Sequence, residues 1–213
     1  LSYRLPISNT VLEGVQQVNP GSYIEFNLQD DIICLNEYKY KCIKICSSNS
    51  LKKDFNYSKV VHSLLINSVK SHLLSDVPTG CFLSGGLDSS LLTSIVKNVL
   101  PSKSSLHTFS VGFDYENYNE FEHSRYVSNY LDTIHHEVLI DPEEYVSLIE
   151  PLIKFKGQPL SVPNEVAIMK LCKLSKKHGI SVLLSGEGAD ELFAGYGRIF
   201  KSVILNKNLN ETI

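Results

Sequence analysis

The chain has 213 residues, 43% hydrophobic and 20% charged, the composition of an ordinary folded protein with room for one large domain and a piece of another. A formal net charge of -3 supplies no basic field for nucleic acid or an anionic membrane, and no apolar run approaches the ~20 residues that span a bilayer. The cysteines, Cys34, Cys42, Cys46, Cys81 and Cys172, are odd in number and scattered, which reads as reduced thiols in a cytoplasmic compartment. Cys42 and Cys46 make a C-x-x-x-C pair, but no histidine or second cysteine pair lies close enough in sequence to complete a zinc site.

Residues 1–45 read as β-rich. Pro20-Gly21 marks a turn, Tyr23 to Leu28 alternates apolar with polar, and Ile32 to Tyr40 returns as the partner strand. This segment is too short to bury a core alone and is assigned to a second domain. The polar, Ser-rich stretch at 46–55, with the charge pair Lys52-Lys53, reads as a linker. From 56 to 213 helix and strand alternate. Val60, Val61, Leu64, Leu65, Val69, Leu73 and Leu74 recur at helical spacing, with Pro78 expected to force the end. A strand then runs into "SGG", a helix follows over "LDSSLLTSIVKNVL", and "LHTFSVGF" is the second strand. The next helix, "NEFEHSRYVSNYL", has Asn119 as its expected cap. After the strand "HHEVLI" comes a helix opened by Asp141 as cap and Pro142 in its first turn. Another helix closes at Gly179, "ISVLLSG" is the fourth strand, and "ADELFAGY" starts a last helix. Single helices between strands imply right-handed crossovers and a parallel sheet, and apolar runs imply strands covered on both faces. The fold class is therefore α/β, a doubly wound parallel sheet preceded by a short β-rich segment from a second domain.

Ligands of such sheets bind beyond the carboxyl ends of the strands. Two unusual turns fall there. The first, Ser84-Gly85-Gly86-Leu87-Asp88-Ser89-Ser90, combines glycines that allow close backbone approach, a helix N-terminus, and hydroxyl donors. It is a pyrophosphate cradle without the lysine of G-x-x-x-x-G-K-[ST]. The second, Ser185-Gly186-Glu187-Gly188-Ala189-Asp190-Glu191, crowds carboxylates into one strand-to-helix turn. A carboxylate beside a polyphosphate is repelled unless a hard cation lies between them, so Asp88 and Asp190 are candidate Mg²⁺ ligands. Singly, each acid is equally an ordinary first-turn residue favoured by the helix dipole. Jointly, Ser-Gly loops with acids at the ends of two parallel strands point to a nucleotide site. His135-His136-Glu137 is a weaker signal, because strand neighbours point to opposite faces and do not readily share a metal. Arg198 is either a phosphate contact or an exposed helix arginine.

These residues resemble a known family. "SGGLDSS" resembles the PP-loop of ATP pyrophosphatases, which form adenylates. "LLSGEGADELFAGYGR" (183–198) resembles the glutamine-hydrolysing asparagine synthetases, and "HTFSVGF" (107–113) and 120–140 follow in matching order. "GVQQVNPGSYIEF" (14–26) is similar to the last strands of that family's glutaminase domain. The resemblance runs from about residue 3 to 200. It implies an adenine nucleotide alpha hydrolase-like sheet over 56–213. It also implies an ATP loop of Leu83, Ser84, Gly85, Gly86, Asp88, Ser89 and Ser90, with Val111, Gly112, Ser185 and Gly186 also meeting the nucleotide. Asp88 and Asp190 would hold Mg²⁺, and Glu187 would serve as base for ammonia. The implied reaction activates aspartate as β-aspartyl-AMP, releases pyrophosphate, and amidates with ammonia from glutamine. A homodimer through the glutaminase part is a further implication.

Departures from the pattern temper these implications. The chain opens at Leu1 where the family's glutaminase has an amino-terminal cysteine nucleophile, and it stops at Ile213, before the family's downstream lysine. The isolated piece is therefore expected to be inactive, a catalytically incomplete ATP-binding fragment. The loop "FKGQPLSVPNEV" (155–166) has Lys156, Gly157 and Gln158 where members often carry an acidic pair. That keeps related adenylating enzymes, of the β-lactam synthetase or peptide cyclase type, as alternatives.

Overall fold

The structure is a computed structural model and describes residues 10, 12–29, 32–40, 56–102, 104–115, 119–193 and 195–197. The proposed linker, Cys42, Cys46 and Arg198 lie outside the described residues.

Strands β1 (Ser22–Gln29) and β2 (Ile32–Lys39) form an antiparallel hairpin, in register from Ser22 opposite Lys39 to Gln29 opposite Ile32. Tyr23 faces Tyr38 with their rings 5.3 Å apart, while Phe26 faces Leu35 and Leu28 faces Ile33. Cross-strand partners share a face, so Phe26, Leu28, Ile33 and Leu35 make one apolar surface, and all four are exposed.

The remaining elements follow as α1 (Tyr57–His72), β3 (Thr79–Phe82), α2 (Leu87–Val99), β4 (His107–Phe113), α3 (Phe121–Leu131), β5 (Ile134–Ile140), α4 (Pro142–Lys156), α5 (Asn164–Lys177), β6 (Val182–Leu184) and α6 (Ala189–Phe193). The four later strands form one parallel sheet in the order β5-β4-β3-β6. The expected doubly wound architecture is thus present. Its core has two halves, because alternate strand residues face opposite layers. On one face Cys81, Leu106 and Leu184 pack against Val69 of α1 and Ile95 and Val96 of α2. On the other, Phe82, Phe109, Val111, Val138 and Leu183 meet Leu171 and Leu174 of α5 and Ile180.

Local signals hold in most places. Asn56 caps α1, accepting from Lys59 N at 3.0 Å, and Asp141 caps α4, accepting from Glu144 N at 2.7 Å. Gly179 takes φ +76° just after α5. Two expectations need correction. Asn119 does not cap α3, whose N-cap is Glu120 with no side-chain cap bond. Asn119 Oδ1 instead fills the space where a Gly112 side chain would begin. Helix α1 ends at His72, six residues before Pro78, its last i→i−4 bond running from Leu73 N to Val69 O at 3.0 Å, so the proline does not itself mark the end.

Candidate active site

The strand order reverses between β3 and β6, and at such a switch point the loops leaving neighbouring strands diverge and open a crevice. Both unusual turns leave the sheet here. Leu83 is buried, and its N–H donates to Phe109 O at 2.9 Å, extending the β3–β4 pairing to the edge of the loop. Gly85 then takes φ +86°, with its α-carbon pressed so closely against α3 that a Cβ would lie 2.6 Å from the His123 carbonyl carbon and Ser124 N. Ser84 Oγ accepts from Gly86 N at 3.2 Å and lies 3.0 Å from Ser89 Oγ, which donates to Gly86 O at 3.2 Å. Gly86 is the N-cap of α2 and offers no side chain, so the first N–H groups of that helix lack a side-chain cap and favour an anion. Ser90 Oγ is buried with no hydrogen-bond partner among the described residues, a donor whose demand the protein leaves unmet.

The β6 turn closes onto this loop. A Cβ on Gly186 would stand 3.3 Å from Asp88 Cβ and 3.5 Å from Ser89 N, a close approach that a side chain there would make tight. A cavity of about 270 Å³ results, lined by Phe82, Ser84, Asp88, Ser89, Ser185, Gly186, Glu187, Gly188, Asp190, Glu191 and Tyr196. It brings together most of the residues singled out from the sequence: both candidate metal ligands, Asp88 and Asp190, the candidate base Glu187, Gly186, and Ser84, Ser89 and Ser185, but not Ser90. Leu83, Gly85 and Gly86 shape its loop from behind. Val111 and Gly112 do not line it. They lie near the end of neighbouring β4, Val111 on the core and Gly112 against Asn119 and Phe121.

Two lining residues, Glu191 and Tyr196, had no assigned role. The Tyr196 hydroxyl donates to Glu191 Oε1 at 2.6 Å, and this bond, with the negative fields of Glu191, Asp190 and Glu187, raises its pKa. Gly195 N donates to Asp190 O at 3.1 Å, and a side chain at Gly195 would collide with the Asp190 carboxylate. The Gly-Tyr of "FAGYG" carried this signal in the sequence, where it stood out only as a mark of the family.

Among the described residues no group of three or more His, Cys, Asp or Glu side chains is arranged to hold a metal by itself. Two acids converging on a serine- and amide-lined cradle fit a hard cation that completes its shell with phosphate oxygens and water, the usual habit of Mg²⁺ at nucleotides. His135 and His136 point to opposite faces, as alternation requires. His135 contacts Thr108 and Glu137, and His136 stacks at 3.8 Å on His178. Cys81 is fully buried, and burial pushes its thiol pKa up to about 12, which makes it inert packing.

Comparison with known proteins assigns the chain to a family. The asparagine synthase family profile matches residues 60–212. Asparagine synthetase [glutamine-hydrolyzing] 1 of Bacillus subtilis is 34% identical over 194 residues, which is 90% of this chain and 29% of that protein. Asparagine synthetase B of Escherichia coli is 32% identical over 179 residues, 78% of this chain and 32% of the relative. A solved glutamine-dependent NAD+ synthetase from Acinetobacter baumannii, in complex with adenosine diphosphate, superposes with a TM-score of 0.49 at 19% identity. It covers 78% of this chain and 32% of that one. The chain thus spans about a third or less of the length of these curated relatives. On the family profile, the relatives' identity and the paired Ser-Gly loops together, the chain belongs to the asparagine synthase family.

Proposed function

We propose that this chain supplies the ATP site of an AMP-forming amide ligase that activates aspartate and amidates it. The observation that carries the reading is the close approach of Gly186 to Asp88, which puts two acids, three serines and an uncapped helix N-terminus around one cavity. In this reading the Ser84–Gly86 backbone and the α2 N-terminus bind the departing pyrophosphate. Ser185 and Gly186 would also touch the nucleotide, and Val111 and Gly112, at the end of β4, would meet adenine through backbone groups. Asp88 and Asp190 would hold Mg²⁺, which when bound supplies the positive charge that an absent loop lysine would otherwise provide. A carboxylate does not react with ammonia until its oxygen becomes part of a good leaving group, and AMP is one. Glu187, which lines the cavity, would take the proton ammonia loses on attack. Residues 1–45 read as part of a glutaminase-type domain that would deliver the ammonia, and the uncovered apolar face of the β1–β2 hairpin supports that assignment.

One observation favours a different acid. The Lys156 ammonium pairs with Glu165, whose other oxygen accepts from Ser161 N at 3.1 Å, so the 155–166 loop is tied to itself through a lysine where members of the family often carry acids. A related adenylating enzyme, of the β-lactam synthetase or peptide cyclase type, is the second reading.

The purified chain tests both. It is expected to bind ATP in the presence of Mg²⁺ and to make no asparagine from aspartate and ammonia. Absence of ATP binding overturns the nucleotide site, and asparagine formation overturns the expectation that the purified chain makes none. Pyrophosphate exchange into ATP that depends on another carboxylic acid, and not on aspartate, selects the second reading.

A further inference from the structure

A line of polar side chains runs beneath the ATP loop on the α3 side of the sheet. Ser110, 4% exposed, donates its hydroxyl proton to the Leu83 carbonyl, the last peptide before Ser84. Its Oγ lies 3.4 Å from His135 Nε2, and the same ring nitrogen lies 3.3 Å from Glu137 Oε1. A carboxylate only accepts, so Nε2 carries the ring proton and Nδ1 is left to accept from Thr108 Oγ1 at 2.9 Å. Burial lowers the His135 pKa against the pull of Glu137, so the ring is neutral near pH 7 and this tautomer holds. Thr108 in turn lies 2.9 Å from Thr133 Oγ1, and Thr133 2.8 Å from Ser128 Oγ of α3. At the other end Arg125, also on α3, clamps Glu137 with two bonds, Nε to Oε1 at 2.8 Å and Nη2 to Oε2 at 2.6 Å. The contacts converge on Glu137, which accepts from both Arg125 and His135, and they link α3 to the Leu83 carbonyl without a break.

The arrangement ties together the two bodies that hold the loop. Helix α3 is the wall against which Gly85 is pressed, and Leu83 is the strand end from which the loop springs. Arg125, Glu137, His135 and Ser110 bind that wall to that strand end through β5 and β4. A buried seryl hydroxyl has few packing reasons to be there, since an apolar side chain would fill the same space without needing a partner.

We propose that Ser110, held by His135 and the Arg125–Glu137 clamp, is a positioning residue that fixes the Leu83 carbonyl and thereby the phosphate-gripping shape of the Ser84–Gly86 loop. It rests on the nucleotide reading above, deepens it, and touches no substrate itself. A loop set for polyphosphate is what these residues control, so their loss weakens ATP far more than a ligand without phosphates.

The test compares Kd for ATP with Mg²⁺ and Kd for adenosine in the full chain, wild type against Ser110→Ala and Glu137→Gln. Both variants are expected to weaken ATP by about threefold to tenfold, the worth of one buried hydrogen bond, and to leave adenosine within about twofold. Glu137→Gln keeps the side-chain shape at the partly exposed end of the line and carries the test where Ser110→Ala fails to fold. Equal weakening of ATP and adenosine, or none of ATP, overturns the positioning role. A wild-type chain with no affinity for ATP overturns instead the nucleotide reading on which the proposal stands.

Discussion

Gly85 and Gly157 share a left-handed backbone, at φ +86° and +69°, yet their surroundings differ. Around Gly157 nothing lies within 4 Å of the side-chain carbon that an alanine would add, while at Gly85 the α3 backbone lies 2.6 Å from it. Gly157→Ala therefore costs the left-handed strain alone, about 1 kcal/mol, whereas Gly85→Ala adds a backbone clash and should cost clearly more, about 3 kcal/mol. Urea midpoints of the two variants measure the difference, and equal losses would show that α3 yields without cost. A second residue-scale expectation concerns His136, packed among Phe109, His107 and His178. Burial, then the charges of His178, His107 and His135, lower its pKa to about 4, against 6.5 for an ordinary histidine. The folded ring thus takes a proton less readily than the unfolded one. The contribution is whole above about pH 6.5 and is lost as pH falls through 4. Stability of His136→Gln should fall less than wild type between pH 7 and pH 5, and parallel curves would refute the assignment.

Among the elements, α4 is the one whose start is clearest from local chemistry: Asp141 accepts from Glu144 N, Pro142 opens the first turn, and Glu143 and Glu144 lie at the positive end of the dipole. Asp141→Ala is expected to lower stability by about 1 kcal/mol in urea unfolding, and a change near zero would mean that tertiary packing alone holds that end. At Asn119 the same logic fails. A polar residue before an amphipathic run suits a cap, but the packing of Phe121 and Asn119 over Gly112 sets where α3 begins, and no single-sequence signal carries that cross-element contact. The hairpin was legible from its turn residues and alternation, because both are local. What its apolar face packs against is not a local property, and Phe26, Leu28, Ile33 and Leu35 stand exposed.

Across the molecule, the alternation of helix and strand was enough to infer a parallel sheet and so to place both acid-bearing turns at one edge. The strand order, which decides that β3 and β6 are neighbours and that Gly186 meets Asp88, is a choice among topologies made by long-range packing. Ser110 escaped notice for the same reason: its partners Leu83 and His135 are 27 and 25 residues away in sequence. The neighbouring of β3 and β6 has a consequence for stability that needs both turns at once. A ligand that bridges them ties the first half of the sheet to the last strand, and only the native fold offers that bridge. Saturation with ATP and Mg²⁺ at a hundredfold above Kd is therefore expected to add about 2.7 kcal/mol, a rise of about 5–10 °C in Tm for a chain of this size. Chelation of the metal by EDTA should remove much of that rise, because Asp88 and Asp190 then face the phosphates unscreened. In Asp88→Asn/Asp190→Asn the repulsion is gone along with the ligands, so the Tm shift with ATP should become insensitive to EDTA. A double variant whose shift still depends on the metal would place the cation elsewhere and detach these two acids from it.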